Sequence, residues 1–375
     1  MKIAVAAQPL VCFAARALVS VGCVFFACMA VSAEPAPRYE FSELGIGYPS
    51  AINNVGDAVG WGERADVVRK GVPTRFPFLG AGADINASGD IAVVITHETM
   101  RLPYAAVWRN GVLFPLPVEN WIAYPSAIND AGVVVGITGL PVVWGGEPGD
   151  ESPAPQRWLA VLWSKDCSYR ILGALGEEYS SQALDMNNRG QVVGTSWPTI
   201  PPSEGPRTSR PVLFENGHVI DLGLPPGTDA LTGEAVAIND RGQIVVNCLT
   251  VDYSIRVYIY SHGEFKDIGR LPTQYYVSGT DINNSGDVVG SAQVRSDEYG
   301  IEHGFLYTNG QLYDLNDIAD LPPGCILWTA DGINDRGEII GFALGNFNYQ
   351  GFRLTPRHNI LRDDRTSNIE RRTFK

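Results

Sequence analysis

The sequence predicts an all-β chain made of short antiparallel repeats, and three observations support this prediction. The 375 residues include 41 glycines and 25 prolines, and 45% of the chain is hydrophobic without a long helical pattern. One short phrase occurs seven times along the chain. An apolar, largely β-branched segment follows each copy, as expected for buried strands.

The recurring phrase is Asn-x-x-Gly, and its chemistry predicts a tight turn. An Asn side chain can bond the backbone two residues on, and Gly adopts positive φ without steric cost. Between apolar runs this pair indicates a hairpin. The predicted turn asparagines are Asn53, Asn86, Asn129, Asn187, Asn239, Asn283 and Asn334, and the glycines are Gly56, Gly89, Gly132, Gly190, Gly242, Gly286 and Gly337.

A second hairpin follows the first in most repeats. After runs such as Gln191-Val192-Val193-Gly194, a third strand ends in an aromatic residue and a turn, as in 212–217. A fourth strand then ends in Asp-Leu or Asp-Ile, so each repeat has four strands. Repeat one is the exception, because residues 75–80 leave no room for a full fourth strand.

The spacing of the repeats predicts a seven-bladed β-propeller over residues 34–356. Successive asparagines lie 33 to 58 residues apart, close to the 40 to 50 residues of a propeller blade. The last repeat stops after its third strand at 351–356, whereas an unmatched strand at 39–45 precedes the first repeat. We therefore expect the N-terminal strand to complete the last blade and close the ring.

These phrases resemble a known group of repeat proteins. Asn-x-x-Gly-x-Val-Val-Gly, the segment His303-Gly304-Phe305-Leu306-Tyr307 and a following Asp-Leu-Gly look like the HAF family of extracellular repeat proteins. The likeness covers nearly all of 39–356; His303 matches the histidine of the family's phrase, and Gly304 replaces its alanine. The resemblance implies an exported bacterial repeat protein, and the family carries no established activity.

The first 33 residues read as a signal peptide. Lys2 and Arg16 precede the apolar stretch 17–30, and Val31-Ser32-Ala33 is a small-residue cleavage pattern. A retained anchor is the alternative, but the stretch is shorter than the roughly 20 residues of a spanning helix. We expect a secreted or periplasmic protein with no stable membrane insertion, followed by a basic, disordered tail at 357–375.

Charge and cysteine content restrict the partners. Cleavage would remove two basic residues and no acidic ones, taking the net charge from −13 to −15. An acidic chain lacks the basic face of a nucleic-acid binder, so we expect no nucleic acid. Three cysteines would remain, Cys167, Cys248 and Cys325, and an odd number allows at most one disulfide. A monomer is expected.

Two long insertions suggest a binding face. Residues 137–158 and 195–210 both join a second strand to a third in adjacent repeats, so they emerge at the same end of the sheets. Trp144, Trp158 and Trp197 lie in them, and exposed indoles favour a polysaccharide or protein ligand. The alternative is that these tryptophans pack the insertions onto the sheets.

The sequence contains no recognisable catalytic motif. Neither a nucleophile elbow nor a phosphate-binding loop occurs, and the histidines lack zinc spacing. A polysaccharide hydrolase or lyase with carboxylates near the ring axis is the alternative function. No cofactor is expected; the one calcium candidate is Asp281, Asn283, Ser285 and Asp287, although most repeats lack the matching oxygens.

Overall fold

The computed structural model describes residues 35–61, 66–96, 103–118, 122–139, 157–199, 208–271, 274–294, 301–345 and 348–357. The predicted signal peptide lies outside these residues, as does all but the first residue of the predicted tail. That first residue, Arg357, pairs through its guanidinium with Asp320 at 2.7 Å, and its N–H donates to the carbonyl of Arg38.

The described chain is all-β apart from one four-residue helix, which confirms the predicted fold class. An N-terminal strand precedes seven repeats. The strands of the first half are β1 (Tyr39–Glu43); β2 (Tyr48–Ile52), β3 (Ala58–Trp61), β4 (Asp66–Arg69) and β5 (Val72–Arg75) in repeat 1; β6 (Gly80–Ile85), β7 (Ile91–Ile95), β8 (Tyr104–Arg109) and β9 (Val112–Pro115) in repeat 2; and β10 (Ala123–Ile128), β11 (Val134–Gly139), β12 (Trp158–Trp163) and β13 (Tyr169–Gly173) in repeat 3.

The second half follows the same plan. Its elements are β14 (Tyr179–Met186), β15 (Val192–Pro198), β16 (Arg210–Glu215) and β17 (His218–Asp221) in repeat 4; β18 (Ala230–Ile238), β19 (Ile244–Thr250), β20 (Ile255–Ser261) and β21 (Glu264–Asp267) in repeat 5; β22 (Gln274–Ile282), β23 (Val288–Val294), β24 (Ile301–Thr308) and β25 (Gln311–Asp314) in repeat 6; then α1 (Leu315–Ile318), β26 (Ala319–Asp320), and β27 (Cys325–Ile333), β28 (Ile339–Gly345) and β29 (Asn348–Pro356) in repeat 7.

Strands within a repeat pair antiparallel in chain order. Repeats 3 to 6 each form a separate four-stranded sheet, whereas repeats 1 and 2 join where Trp61 pairs with Ala81. The expectation that repeat 1 lacks room for a full fourth strand was wrong. Its third strand, β4, already begins at Asp66, which leaves Val72–Arg75 free to form β5.

The N-terminal strand pairs with the last repeat. β1 runs antiparallel to β29, with Tyr39 opposite Pro356 and Glu43 opposite Phe352, and β26 adds a short parallel strand on its other side. The side-chain hydroxyl of Ser42 also donates to the carbonyl of Arg353 at 3.3 Å. The chain termini of the β region therefore share one five-stranded sheet.

Neighbouring repeats bury their sheets against each other. Val193 of repeat 4 packs with Ala235 and Ile244 of repeat 5, and Ala58 of repeat 1 packs with Ile340 of repeat 7. Second strands such as β11 are buried along their whole length, so apolar side chains on both faces lose contact with water. Contact between sheets supplies the core that a single four-stranded sheet lacks.

Two further sequence-derived points concern cysteines and helices. The thiols of Cys167, Cys248 and Cys325 are all free. Within the described ranges, no helix has the length and apolar character needed to cross a bilayer.

Candidate functional site

The repeats have two distinct ends. We call the end that carries the Asn-x-x-Gly turns between first and second strands the turn end. The opposite end, which carries the connections from second to third strands and from one repeat to the next, is the loop end. Of the predicted insertions 137–158 and 195–210, residues 140–156 and 200–207 lie outside the described residues. Their described ends lie at the loop end but belong largely to strands, a correction to the predicted bounds: 137–139 and 195–198 complete β11 and β15, and residues 158 and 210 begin β12 and β16.

A ring of hydrogen bonds joins the seven turn asparagines. All seven are buried, and their side-chain oxygens accept backbone N–H groups of their own turns. Each side-chain Nδ2 also reaches the backbone carbonyl of the corresponding asparagine in the next repeat. The links are Asn53 to Asn86 (2.9 Å), Asn86 to Asn129 (3.1 Å), Asn129 to Asn187 (3.5 Å), Asn187 to Asn239 (3.1 Å), Asn239 to Asn283 (2.9 Å), Asn283 to Asn334 (3.3 Å) and Asn334 back to Asn53 (3.1 Å).

The residue after each turn asparagine forms a second set of links. Here a backbone N–H donates to the side-chain oxygen of the equivalent residue in the next repeat, at 2.7–2.9 Å. Ala87 has no side-chain oxygen, so the set is interrupted between repeats 1 and 2. The side chains that accept these bonds belong to Asn54, Asp130, Asn188, Asp240, Asn284 and Asp335.

These polar groups surround an axial cavity of about 180 Å³ to which all seven repeats contribute. Six aspartates line it, and three of them, Asp84, Asp185 and Asp281, lie at the equivalent position of every second repeat, two residues before the turn asparagine. Each of these three carboxylates accepts one N–H from its own strand and one from the next repeat, at 2.7–2.8 Å. The cavity is polar, and its carboxylates connect adjacent sheets.

Burial changes the acidity of these three carboxyl groups. Desolvation raises the pKa of Asp84 to about 6 and, with repulsion from Asp281, raises that of Asp185 to about 7. Desolvation also raises the pKa of Asp281. The backbone N–H donors oppose this effect without cancelling it, so the three groups acquire protons more readily than exposed aspartates.

The calcium candidate has its oxygens engaged elsewhere. Asp281 accepts the N–H groups of Ile282 and Ile333, while Asn283 accepts those of its own turn and donates to Asp287 at 3.0 Å. Asp281 faces the axial cavity. In the part of the chain that the structure describes, no group of three or more His, Cys, Asp or Glu residues is arranged to hold a metal ion.

The predicted tryptophans are divided between described and undescribed segments. Trp144 lies outside the described residues, whereas Trp158 and Trp197 are half-buried at the loop end. The backbone N–H of Trp158 donates to Ser180, the residue that pairs with Trp197, so repeats 3 and 4 meet here. The ring that contacts Trp158 is that of Tyr124, at 6.3 Å between centroids.

A larger aromatic group at the loop end was not predicted. The ring of Tyr48 stacks on Trp61 at 4.4 Å and on Phe342 of repeat 7 at 4.7 Å, with interplanar angles of 18° and 22°. Tyr48 and Trp61 remain 37% and 49% exposed. We call Tyr48, Trp61 and Phe342 the aromatic stack; Tyr48 stacks on both of the other rings, and Trp61 is the more exposed of the pair Tyr48 and Trp61.

The sequence did contain a signal for these tyrosines. The phrase Tyr-Pro-Ser-Ala-Ile-Asn occurs twice, beginning at Tyr48 and at Tyr124. In both copies the tyrosine begins or nearly begins the first strand, and in both its ring contacts a tryptophan. The repeated phrase therefore marks two aromatic pairs at the loop end, in repeats 1 and 3.

Acidic groups interact around Tyr276. Desolvation, with repulsion from Glu302 and Glu234, raises the pKa of the Tyr276 hydroxyl. Burial, with repulsion from Glu302, raises the pKa of Asp331 to about 7, although the Thr329 hydroxyl donates to it at 3.0 Å. Two carboxyl groups close enough to repel each other, as Glu302 and Asp331 are, can act as acid and base.

His303, which carries the family resemblance, has a structural partner. Its Nδ1 lies 2.7 Å from Oδ2 of Asp314, and Oδ1 of Asp314 accepts the N–H of Asn316 at the start of α1. The histidine thus holds the residue that caps the short helix.

Comparison with known proteins identifies the fold. No family model and no curated protein sequence matches this chain. The β-propeller domain of the trilobed protease from Pyrococcus furiosus, described as having an open velcro topology, is 10% identical, with 84% of this chain and 93% of that chain covered and a TM-score of 0.51. YCF48, solved with a D1 peptide, is 13% identical, with 87% and 99% covered and a TM-score of 0.50.

A third similar structure is a peptidase. The acylaminoacyl peptidase of Pyrococcus horikoshii is 14% identical, with 80% of this chain covered and a TM-score of 0.49, and this chain spans 49% of its length. The chain thus covers about half of that peptidase. At these identities the likenesses establish the fold alone, and they place this all-β chain among the β-propellers.

Proposed function

We propose that this chain is an exported, closed seven-bladed β-propeller that binds a polysaccharide through aromatic rings at its loop end. The link from Asn334 back to Asn53 and the pairing of β1 with β29 support closure of the ring. The proposal of export rests on the cleavage pattern before Glu34 and on the resemblance to extracellular repeat proteins. N-terminal sequencing of the secreted protein should find Glu34; a retained Met1 would contradict it.

The aromatic stack is the observation that carries the proposed binding activity. Large aromatic rings normally bury most of their surface, yet Tyr48 and Trp61 keep 37% and 49% exposed while held flat by stacking. A flat, immobilised apolar face suits the C–H face of a sugar ring and loses little entropy on binding. The Tyr124–Trp158 pair extends the same chemistry to repeat 3.

The experiment compares two variants against a matched control. Trp61→Ala and Tyr48→Ala should each weaken retention on immobilised polysaccharides about tenfold, because the first removes the more exposed ring and the second removes the ring that holds it in place. Tyr253→Ala is the control, since Tyr253 lies on the second-to-third-strand connection of repeat 5 and is 77% exposed. Equal retention by all three variants would refute the role of the stack.

A protein ligand is the other outcome of this test. YCF48 was solved with a peptide. One fold can carry binding sites for different classes of ligand, so a propeller can bind either a polysaccharide or a protein. Retention of peptides but of no polysaccharide, with the same loss in Trp61→Ala, would move the proposal to a protein partner.

Hydrolysis of the polysaccharide is a second candidate function, which the acidic group around Tyr276 favours. A carboxyl group with a pKa of about 7 can serve as the acid, and Glu302 beside it can serve as the base. Polysaccharide incubated with the protein should then shorten, and Asp331→Asn should abolish the shortening. Intact polysaccharide after incubation with the wild-type protein would exclude this function for that substrate.

A further inference from the structure

One link is missing from the second set of hydrogen bonds at the turn end. The residue after the turn asparagine is Asn or Asp in six repeats, whereas repeat 2 has Ala87. The comparison with repeat 6 is the sharpest, because segments 84–90 and 281–287 differ at this one position alone, where repeat 6 has Asn284. Repeat 6 therefore shows which contacts a longer side chain makes at the position of Ala87.

Asn284 uses both ends of its amide to join its neighbours. Its side-chain oxygen accepts the backbone N–H of Asp240 in repeat 5 at 2.8 Å, and its Nδ2 donates to Oδ2 of Asp335 in repeat 7 at 3.0 Å. The same Nδ2 lies 3.3 Å from Oδ2 of Asp240. One carboxamide group thus satisfies a backbone donor in the repeat before it and a carboxylate acceptor in the repeat after it.

The same two partners lack a carboxamide beside Ala87. Among the described residues, nothing accepts the backbone N–H of Asn54, the counterpart of Asp240. Oδ1 of Asp130, the counterpart of Asp335, accepts the N–H of Ala87 at 2.9 Å, while its Oδ2 meets no donor in the described part of the chain. The methyl group of Ala87 can satisfy neither the N–H group nor the oxygen.

The gap is accessible and adjoins a cavity. Asn54, Ala87 and Asp130 are all exposed, and all three line the axial cavity of about 180 Å³. A polar space of this size exceeds what a single water molecule needs. The described lining contains no Lys, Arg or His, so no cationic side chain of the cavity wall competes for the carboxylate of Asp130. A ligand can therefore reach both groups from solvent.

We propose that the turn end binds the primary carboxamide group of an Asn or Gln side chain from a peptide partner, in the gap beside Ala87. The ligand's oxygen accepts the N–H of Asn54, and its NH₂ group donates to Oδ2 of Asp130, as the amide of Asn284 does with the equivalent partners in repeats 5 and 7. A carboxylate is repelled by Asp130, and an ammonium cannot accept the N–H of Asn54. One free donor beside one free acceptor selects an amide.

This site is separate from the proposed polysaccharide site, because the aromatic stack lies at the loop end. The probes are Nα-acetyl-asparagine methylamide and its glutamine analogue, titrated into the wild-type protein while NMR follows the backbone amide of Asn54. Matched probes contain aspartate or leucine, which resemble asparagine in shape, or lysine, which carries an ammonium. We expect saturable binding of at least one amide probe with about millimolar affinity, and at least tenfold weaker binding of the three others.

Three variants test the location. Ala87→Asn supplies the missing amide from the protein itself, so it should abolish binding while leaving the melting temperature equal or higher; its turn sequence then equals that of repeat 6. Ala131→Asn is the matched control, because Ala131 is exposed on the turn of repeat 3 outside the cavity lining, and it should leave binding unchanged.

Asp130→Asn tests the chemistry of recognition. It keeps an oxygen for the N–H of Ala87 and replaces the free acceptor by a donor. The amide probe should therefore bind about tenfold more weakly and lose its advantage over the aspartate probe. A merely structural role of Asp130 would leave the order of the two probes unchanged.

The outcomes decide the proposal in either direction. The absence of a saturable shift of the Asn54 amide with both amide probes at tens of millimolar would overturn it. Tighter binding of the lysine probe would overturn it as well, because the acidic cavity would then select charge. Wild-type affinity in Ala87→Asn is a third refuting result. If Ala87→Asn does not fold, an unchanged order of the probes in Asp130→Asn refutes the proposal.

Discussion

Asn239 is the turn asparagine whose removal should be the most instructive. Its side-chain oxygen accepts the N–H groups of Arg241 and Gln243, both at 3.0 Å. Its Nδ2 donates to Gln243 at 2.8 Å and to the carbonyl of Asn283 in repeat 6 at 2.9 Å. One buried side chain thus makes four hydrogen bonds, three within its turn and one to the next repeat.

The expected cost of Asn239→Ala follows from these four bonds. A buried hydrogen bond contributes about 1 kcal/mol net, so the variant should lose about 4 kcal/mol of unfolding free energy. Asn129→Ala is the matched comparison, because its Nδ2 meets Asn187 at 3.5 Å, near the limit of a hydrogen bond, and its oxygen accepts one close N–H. We expect a loss of about 2 kcal/mol there.

Asn239→Asp separates the turn from the link to the next repeat. An aspartate keeps the acceptor oxygen for the turn but faces the Asn283 carbonyl with an oxygen instead of an N–H. Urea unfolding followed by tryptophan fluorescence measures all three variants. A loss below about 1 kcal/mol in Asn239→Ala, or wild-type stability of Asn239→Asp at pH 7, would refute the reasoning.

Three further predictions concern acidity, a thiol and a glycine. The folded protein holds Asp84 and Asp185 at pKa values of about 6 and 7, above those of an unfolded chain, so between pH 4 and 7 the folded state binds more protons than the unfolded state. The melting temperature should therefore rise by about 5 °C from pH 8 to pH 5. A melting temperature that stays constant or falls over this range would contradict the prediction. Cys248 is buried, and burial raises the pKa of its thiol to about 12. A disulfide reagent at pH 8 should therefore label Cys167 and Cys325 in the folded protein and label Cys248 only after denaturation. Mass analysis of the peptides identifies the labelled cysteines. Gly194→Ala should fold poorly because the added methyl would overlap the carbonyl oxygen of Gln182; unchanged thermal unfolding would show that the strands can separate to admit it.

The fold class and the chemistry of the turns could be predicted because both are local. The amide oxygen of Asn187, for example, accepts the N–H of Arg189 two residues on, as expected of asparagine in a turn. The link from its Nδ2 to Asn239 could not be predicted, because it depends on how two sheets lie against each other. The role of Asn187 in its own turn can thus be predicted from the sequence, whereas its hydrogen bond to the next repeat cannot.

The same distinction between local and long-range contacts applies to the candidate site. The excess length of two repeats drew attention to Trp158 and Trp197, which lie in β12 and β15, but the stack of Tyr48 on Phe342 joins residues almost 300 positions apart. Likewise, Gly194 was recognisable as the end of a Val-Val-Gly strand phrase, whereas the close approach of the Gln182 carbonyl that requires it is visible only in the paired strands. Contacts between distant segments need the register of the sheets.

The position of β1 beside β29 has a consequence for how the protein matures. Ser42 and Arg353, which touch across these strands, are separated by 311 positions, so the first strand waits for almost the entire polypeptide before it finds its partner. Such long-range pairing is slow, and until it happens an edge of the sheet of repeat 7 is available to other strands. A chain that crosses a membrane before folding would therefore need protection from aggregation until its final thirty or so residues emerge.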